Sequence, residues 1–381
     1  MLNNFCFQNP TKLIMGKGMI AQLSKEIPAD KKIMITFGGG SVKKNGVYDQ
    51  VKEALKNHNT IEFWGIEPNP AIETLREAIA LGKAEKVDFL LAVGGGSVID
   101  GTKLISAGLL YDGDAWDLVK KGKAENTLPL GTVLTLPATG SEMNDGAVIS
   151  CKETKEKYAF FSNFPKFSIL DPEVTFSLPD YQIACGIADT FVHVMEQYLT
   201  KSGESRVMDR WAESILQTLV EIAPKIKENK QDYQNMADFM MCATMALNGF
   251  IAMGVSQDWA THMIGHEVTA LTGLTHGHTL AIILPGTMDV LRKQKGEKIM
   301  QVGTRVFGVN SGTHDFRINE TIRKTREFFN SLGLTTSLSE NNIGKDVIDE
   351  IERRFNERDV HFGEDGLVTG SVAKEILEKV Y

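Results

Sequence analysis

No run of about 18 consecutive apolar residues occurs in this 381-residue chain, so no membrane-spanning helix is expected. The opening residues, Met1-Leu2-Asn3-Asn4-Phe5, lack a basic stretch ahead of an apolar one, which argues against a secretory leader. Cysteine is scarce. Cys6, Cys151, Cys185 and Cys242 stand far apart and form no pair motif, which excludes a disulfide scaffold and suits reduced thiols in the cytoplasm. Positive charge is not in excess: 41 Lys and Arg face 49 Asp and Glu, a net charge of −8. Nucleic acid is therefore not the expected partner. Internal repeats and low-complexity linkers are missing, and so is the Gly-x-Gly-x-x-Gly pattern of many phosphate-binding turns.

What is present divides in two, as expected for a chain too long for one core. Up to about residue 180, short apolar runs alternate with helical periods. Residues 32–37, 61–64, 88–93 and 130–136 read as strands; helices are expected from Val47 to Leu55, over 72–86 and from Val98. That alternation implies an α/β domain, residues 1–180, with a largely parallel sheet and helices on both faces. Residues 181–381 have helical period almost throughout and read as an all-α domain. Helices are expected over 181–199, 205–227, 232–253, 257–271, 278–293, 319–332, 345–358 and 371–380, with Pro224 and Pro285 ending or kinking two of them.

Two predicted strands stop at the same tetrapeptide, Gly-Gly-Gly-Ser, at 38–41 and 94–97. Such turns let backbone N–H groups approach a phosphate, and the following helix start favours negative charge. Either turn alone also serves a plain strand-to-helix connection. Two of them in one α/β domain point to a nucleotide at the strand ends.

Histidine carries the second signal. Five of the eight histidines fall between 193 and 278. Asp189 and His193 share a helix face, as do His262 and His266, and His276 follows a turn at Thr272-Gly273. Carboxylate plus imidazole without thiolate suits one divalent ion, Fe²⁺ or Zn²⁺. Spacing leaves open whether His266 or His276 completes the set with Asp189, His193 and His262. His278 reads as a supporting residue, and His58, His314 and His361 as isolated.

Six segments carry a family resemblance: Phe-Gly-Gly-Gly-Ser-Val-Lys-Lys at 37–44, Glu-Pro-Asn-Pro at 67–70, Ala-Val-Gly-Gly-Gly-Ser-Val-Ile-Asp-Gly-Thr-Lys at 92–103, Leu-Thr-Leu-Pro-Ala-Thr-Gly-Ser-Glu at 134–142, Ala-Asp-Thr-Phe-Val-His-Val-Met-Glu-Gln-Tyr at 188–198 and Asp-Trp-Ala-Thr-His-Met-Ile-Gly-His-Glu at 258–267. The sequence resembles the iron-containing (group III) alcohol dehydrogenases, in particular their butanol dehydrogenase and NADPH-dependent aldehyde reductase branch. The resemblance implies a Rossmann-like N-terminal domain, an all-helical C-terminal domain, an active site in the interdomain cleft and a homodimer. It implies metal ligands Asp189, His193, His262 and His276, with His266 facing nicotinamide and substrate. It implies that Gly95, Gly96 and Ser97 hold the pyrophosphate, and that Asn69, Asp100, Thr135, Asn144, Gly146, Lys157 and Phe176 line the rest of the cofactor site. The family's common Thr-Thr-Ala-Gly-Thr loop stands here as Thr135-Leu136-Pro137-Ala138-Thr139, so Thr135 alone is carried over.

NAD-dependent relatives resemble each other in an Asp just after the first strand, where this chain has Gly39. With no carboxylate to repel a 2′-phosphate, and with Ser41, Lys43 and Lys44 adjacent, NADP(H) is expected over NAD(H). The expected reaction is reversible hydride transfer between nicotinamide and a short- to medium-chain aldehyde or primary alcohol, with His266 as proton relay. Alternatives are a polyol dehydrogenase of the same superfamily and a catalytically inert, metal-stabilised binding protein. Dehydroquinate synthase chemistry needs a Lys/Arg pocket that is not apparent near the metal motifs.

Overall fold

Apolar runs too short for a helix become strands where both faces can be buried. A computed structural model describes residues 2–381. Its strands are β1 (Lys12–Met15), β2 (Lys32–Phe37), β3 (Asn59–Phe63), β4 (Phe89–Gly95), β5 (Leu130–Leu136), β6 (Gly146–Cys151), β7 (Glu156–Phe161) and β8 (Phe167–Leu170). Its α-helices are α1 (Leu23–Glu26), α2 (Ser41–Lys44), α3 (Val47–Ala54), α4 (Ile72–Ala84), α5 (Gly96–Gly108), α6 (Ala115–Lys121), α7 (Asp180–Tyr198), α8 (Arg206–Glu228), α9 (Tyr233–Ala246), α10 (Ala260–Thr272), α11 (His276–Val290), α12 (Arg292–Phe307), α13 (His314–Ser331), α14 (Lys345–Glu357) and α15 (Gly370–Glu378).

One six-stranded parallel sheet has the order β1-β8-β5-β4-β2-β3; β6 and β7 form a separate antiparallel hairpin. From β2 the chain goes outward to β3, then crosses back past β2 to β4 and on to β5. The order reverses between β2 and β4, where sheets of this kind bind ligands beyond their carboxyl ends. Both Gly-Gly-Gly-Ser turns stand there: 38–41 follows β2, and 94–97 joins β4 to α5. Alternation along β2 feeds two apolar layers. Met34 joins Leu75, Leu90, Ile99 and Leu104 on one face, while Ile33, Ile35 and Phe37 join Val47, Val51, Leu91 and Val93 on the other. Each such side chain, fully buried, contributes about 1.5–3 kcal/mol.

The chain forms two compact units, an α/β unit of 8–179 with 231–244 and a helical unit holding the rest. Residues 231–244, expected in the helical half, cluster with the α/β unit: Met240 is buried in its core and Thr244 Oγ1 donates to Glu142 Oε1 at 2.5 Å. The N-terminal segment, expected in the α/β half, goes the other way. Asn3 N donates to Gly254 O at 2.8 Å, and the Phe7 ring meets Phe250 edge-on. Helix 232–253 accordingly ends early, at Ala246, and α10 starts at Ala260 rather than 257.

In the helical unit α7 is buried at every position from Ile183 to Tyr198, and α11 from Gly277 to Met288. A helix apolar all round belongs in a core. Pro224 and Pro285 end neither α8 nor α11. Each removes one backbone bond, but continuous burial of residues 280–288 holds α11 together past Pro285.

Candidate functional site

In the helical unit, α7 carries Asp189 and His193 one turn apart, α10 carries His262 and His266, and α11 begins with His276. Two glycines let these helices approach. A Cβ on Gly277 would lie 2.1 Å from Cys185 O on α7, and one on Gly265 would lie 2.8 Å from Leu280 Cδ2 on α11. Both glycines adjoin a site histidine in sequence, so the tight packing is what brings the imidazoles to Asp189.

Donor atoms of Asp189, His262 and His276 all lie within 4.8 Å of one another. Asp189 Oδ1 is 3.6 Å from His193 Nε2 and 3.8 Å from His262 Nε2, and the His193 and His262 rings stack with centroids 4.5 Å apart. Donors on one tetrahedral cation, with bonds near 2.0–2.1 Å, stand roughly 3.4 Å apart, so small side-chain shifts suffice. His262 Nε2 is buried without a hydrogen-bond partner. Such an atom costs about 1–3 kcal/mol unless something takes its lone pair. The donor set therefore fits a divalent ion. Burial opposes a positive charge at His262, but the Glu196 carboxylate, and then Asp189, outweigh it and raise the ring to about 9. The surroundings thus favour a cation at this ring.

The tight group contains His276 and not His266. The His266 ring sits beside the group, 5.0 Å from the His276 centroid and 6.3 Å from that of His262. His278 lies outside it, between the Tyr181 hydroxyl and Thr335 O, each at 3.1 Å. Two neighbours were missed in the sequence. Glu196, one turn past His193, meets His262 Nδ1. Trp259 sets its ring edge against His262 and His193, in a left-handed backbone conformation (φ 66°) that costs a bulky residue about 1–3 kcal/mol.

The cofactor candidates lie in the α/β unit. Gly95, Gly96 and Ser97 form the junction of β4 and α5, and a Cβ on Gly96 would collide with Thr139 Oγ1 at 2.3 Å. Asn69 N donates to Ser97 Oγ at 3.3 Å, and Lys157 Nζ donates to Asn69 Oδ1 at 2.8 Å. Thr135 is buried on β5, Phe176 lies in the turn Pro172–Ser177 after β8, and Gly39 and Ser41 follow β2.

A buried hub, also missed, ties the remaining candidates together. Lys103 is 0 % exposed, and its Nζ donates to Ser141 O (2.7 Å), Ser141 Oγ (2.8 Å), Asn144 Oδ1 (3.1 Å) and Gly146 O (2.7 Å). Ser141 Oγ in turn donates to Asp100 Oδ1 at 2.6 Å, and Val148 N donates to Asp100 Oδ2 at 2.9 Å. Burial lowers the Lys103 ammonium to about 8 and raises Asp100, while their mutual attraction opposes both shifts. Lys at the third place after Gly-Gly-Gly-Ser-Val-Ile-Asp was the available signal, being about one helical turn beyond a candidate carboxylate.

Residues 10–172 match the family described as iron-containing alcohol dehydrogenase, and residues 183–380 the family described as Fe-containing alcohol dehydrogenase family, C-terminal. The chain is 48% identical to the NADPH-dependent aldehyde reductase YqhD of Escherichia coli, covering 99% of each. It superposes on a crystal structure of that protein with a TM-score of 0.98, covering 100% of this chain and 99% of the other. It is 44% identical to a probable NADH-dependent butanol dehydrogenase of Bacillus subtilis, covering 92% of each.

Replacing Lys103 by Met leaves its acceptors without their donor, at about 1–3 kcal/mol for each buried group left unsatisfied. The loop carrying Asn144 and Gly146 should loosen. The expected result is a rise of roughly tenfold or more in KM for the nicotinamide cofactor, with kcat little changed. Steady-state kinetics at varied cofactor check this; an unchanged KM would leave Lys103 a packing residue only.

Proposed function

Since this chain belongs to the iron-containing alcohol dehydrogenase family, we propose that it is a metal-dependent, NADPH-preferring aldehyde reductase interconverting short- to medium-chain aldehydes and primary alcohols. The observation that carries the reading is the convergence of Asp189, His262 and His276, with His193 alongside, in the helical unit. Asp189, His193, His262 and His276 would hold one ion, Fe²⁺ or Zn²⁺. Gly95, Gly96 and Ser97 would take the pyrophosphate, and Asn69, Asp100, Thr135, Asn144, Gly146, Lys157 and Phe176 the rest of the cofactor. When bound, the cation supplies Lewis acidity toward the substrate oxygen and the reduced nicotinamide supplies hydride.

The residues of the chain have three tasks. Asp189 and the three imidazoles fix the position at which negative charge on the substrate oxygen is stabilised. His266, beside that set, carries the proton that the product oxygen takes up. The glycine turn at α5 admits the phosphates close to backbone N–H groups. The relatives' names are divided between NADPH and NADH, so cofactor preference rests on residues of this chain. Beyond Gly39 there is open space, Ser41 is exposed, and the Lys43 ammonium lies 4.0 Å over the Trp64 ring. A homodimer and a cytoplasmic location complete the reading; the latter is supported by four free cysteines, three of them buried.

Purified protein should hold about one Fe²⁺ or Zn²⁺ per chain and consume NADPH only when an aldehyde is added. His262→Ala should lose ion and activity together. Metal-free wild-type protein that is still fully active would sink the reading. Gly39→Asp places a carboxylate in open space at a φ that other residues adopt, so folding should be unaffected. The ratio of kcat/KM for NADPH over NADH should fall at least roughly tenfold, about 1.4 kcal/mol of like-charge repulsion; an unchanged ratio removes Gly39 from cofactor choice. His266→Ala should keep its metal but lose about 10²–10⁴-fold in aldehyde reduction. A kcat unchanged from mildly acid to mildly alkaline pH would take His266 out of the proton path.

A further inference from the structure

One turn beyond His193, α7 sends Glu196 into the helical core, where it is 2% exposed. Its Oε1 accepts from Thr261 N at 2.6 Å, its Oε2 accepts from His262 N at 3.1 Å, and Oε2 also meets His262 Nδ1. These amides belong to the first turn of α10, whose own cap residue, Trp259, supplies no side-chain bond. A carboxylate from another helix therefore satisfies two otherwise orphaned N–H groups and sets negative charge at the positive end of α10.

We infer that Glu196 is a positioning residue for the metal centre: it keeps the proton of His262 on Nδ1, aims the Nε2 lone pair at the point shared with Asp189, and supplies half of the negative charge that balances a divalent ion. The inference rests on the metal reading above. The tautomer follows because Nδ1 cannot both donate to Glu196 and leave Nε2 protonated in a neutral ring. The charge count follows from burial. Asp189, His193 and His262 are 3%, 4% and 6% exposed, and the imidazoles are neutral as ligands. Asp189 alone would leave one positive charge uncompensated at a site where only His276 is partly exposed; Asp189 with Glu196 closes the count at zero. The carboxylate that ends the N-terminal turn of α10 is thus also the one that fixes the ring one residue further on, so helix register and ring orientation are set together.

Glu196→Gln removes the charge and the acceptor facing His262 N and Nδ1, while its amide oxygen can still accept from Thr261 N and keep half of the cap. Apoprotein of wild type, Glu196→Gln and His262→Ala is titrated with Zn²⁺ against a chromophoric chelator and with Co²⁺ followed by its visible d–d bands. Glu196→Gln should bind Zn²⁺ about 10–100-fold more weakly and shift the Co²⁺ bands, while the melting temperature of the apoprotein falls by only a few degrees, roughly the loss of one capping bond. Wild-type Zn²⁺ affinity and an unshifted Co²⁺ spectrum in Glu196→Gln, with the ion lost in His262→Ala, overturn the role of Glu196 alone. Retention of wild-type affinity in His262→Ala overturns the metal reading itself. Should Glu196→Gln fail to fold, Glu196→Asp, which keeps the charge but withdraws it by one carbon from His262, tests the positioning: weaker Zn²⁺ binding and shifted Co²⁺ bands support it, and wild-type values overturn it.

Discussion

The approach of α11 to α7 at Gly277 fixes where His276 can stand. Any side chain there would meet the backbone of Cys185, so the start of α11 would back away from the helix that carries Asp189 one turn later. Gly265 sets a softer limit between α10 and α11, where a Cβ would meet the tip of the Leu280 side chain. Helices α7 and α11, buried almost all round, can meet this closely because position 277 has no Cβ. Imidazoles are rigid and short, and cannot reach across a wider gap. The donor set is thus a consequence of helix packing rather than an addition to it, and Glu196 closes it by joining α7 to the first turn of α10.

In the α/β unit the comparable constraint is the reversal of strand order between β2 and β4. Sheets of this kind bind ligands beyond the strand ends at such a reversal, and both glycine turns stand there. The neighbouring loop is held by one ammonium. Lys103 reaches from α5 to the loop 141–146, while Asp100, one turn earlier, accepts from Ser141 and from Val148 in β6. Residues expected to meet the nucleotide are therefore linked through a buried polar network and not merely by sharing a face. Thr244, at the end of the detached helix α9, extends the network to Glu142.

Strong local signals were readable in the sequence. The strands at 32–37 and 88–93 are nearly pure apolar runs, the repeated glycine turn is a fixed string, and Asp189, His193, His262 and His266 sit at helical spacing. Elements that draw their stability from partners were not. β1 and β8 have four residues each and exist because they pair with one another, and β8 with β5. The strands of the hairpin β6–β7 pair only with each other, and α12 begins with Arg-Lys-Gln-Lys, too charged to suggest burial of Lys295 and Lys298. Residues 231–244 have ordinary helical period, which says nothing about which core they join. Glu196 was invisible for a related reason: its partners on α10 are 65 and 66 residues away, and only the fold shows that a glutamate on an apolar helix faces N–H groups instead of solvent.

These buried charges also bear on why the chain tolerates them. A fully buried carboxylate or ammonium is rarely the most stable choice; an apolar residue of similar volume is often neutral or better. Yet Asp189 and Glu196 lie in one core, and Asp100, Lys103 and Glu142 in the other. Their placement is uneven. In the α/β unit Asp100 and Lys103 are opposite in sign, linked through Ser141, and compensate each other without outside help. In the helical unit the two carboxylates share one sign, and both face the His262 ring, whose hold on a proton they strengthen. The first arrangement holds a surface in shape for a ligand that backbone groups can bind. The second gathers two negative charges on one imidazole, which is the electrostatic setting that the proposed divalent ion would meet.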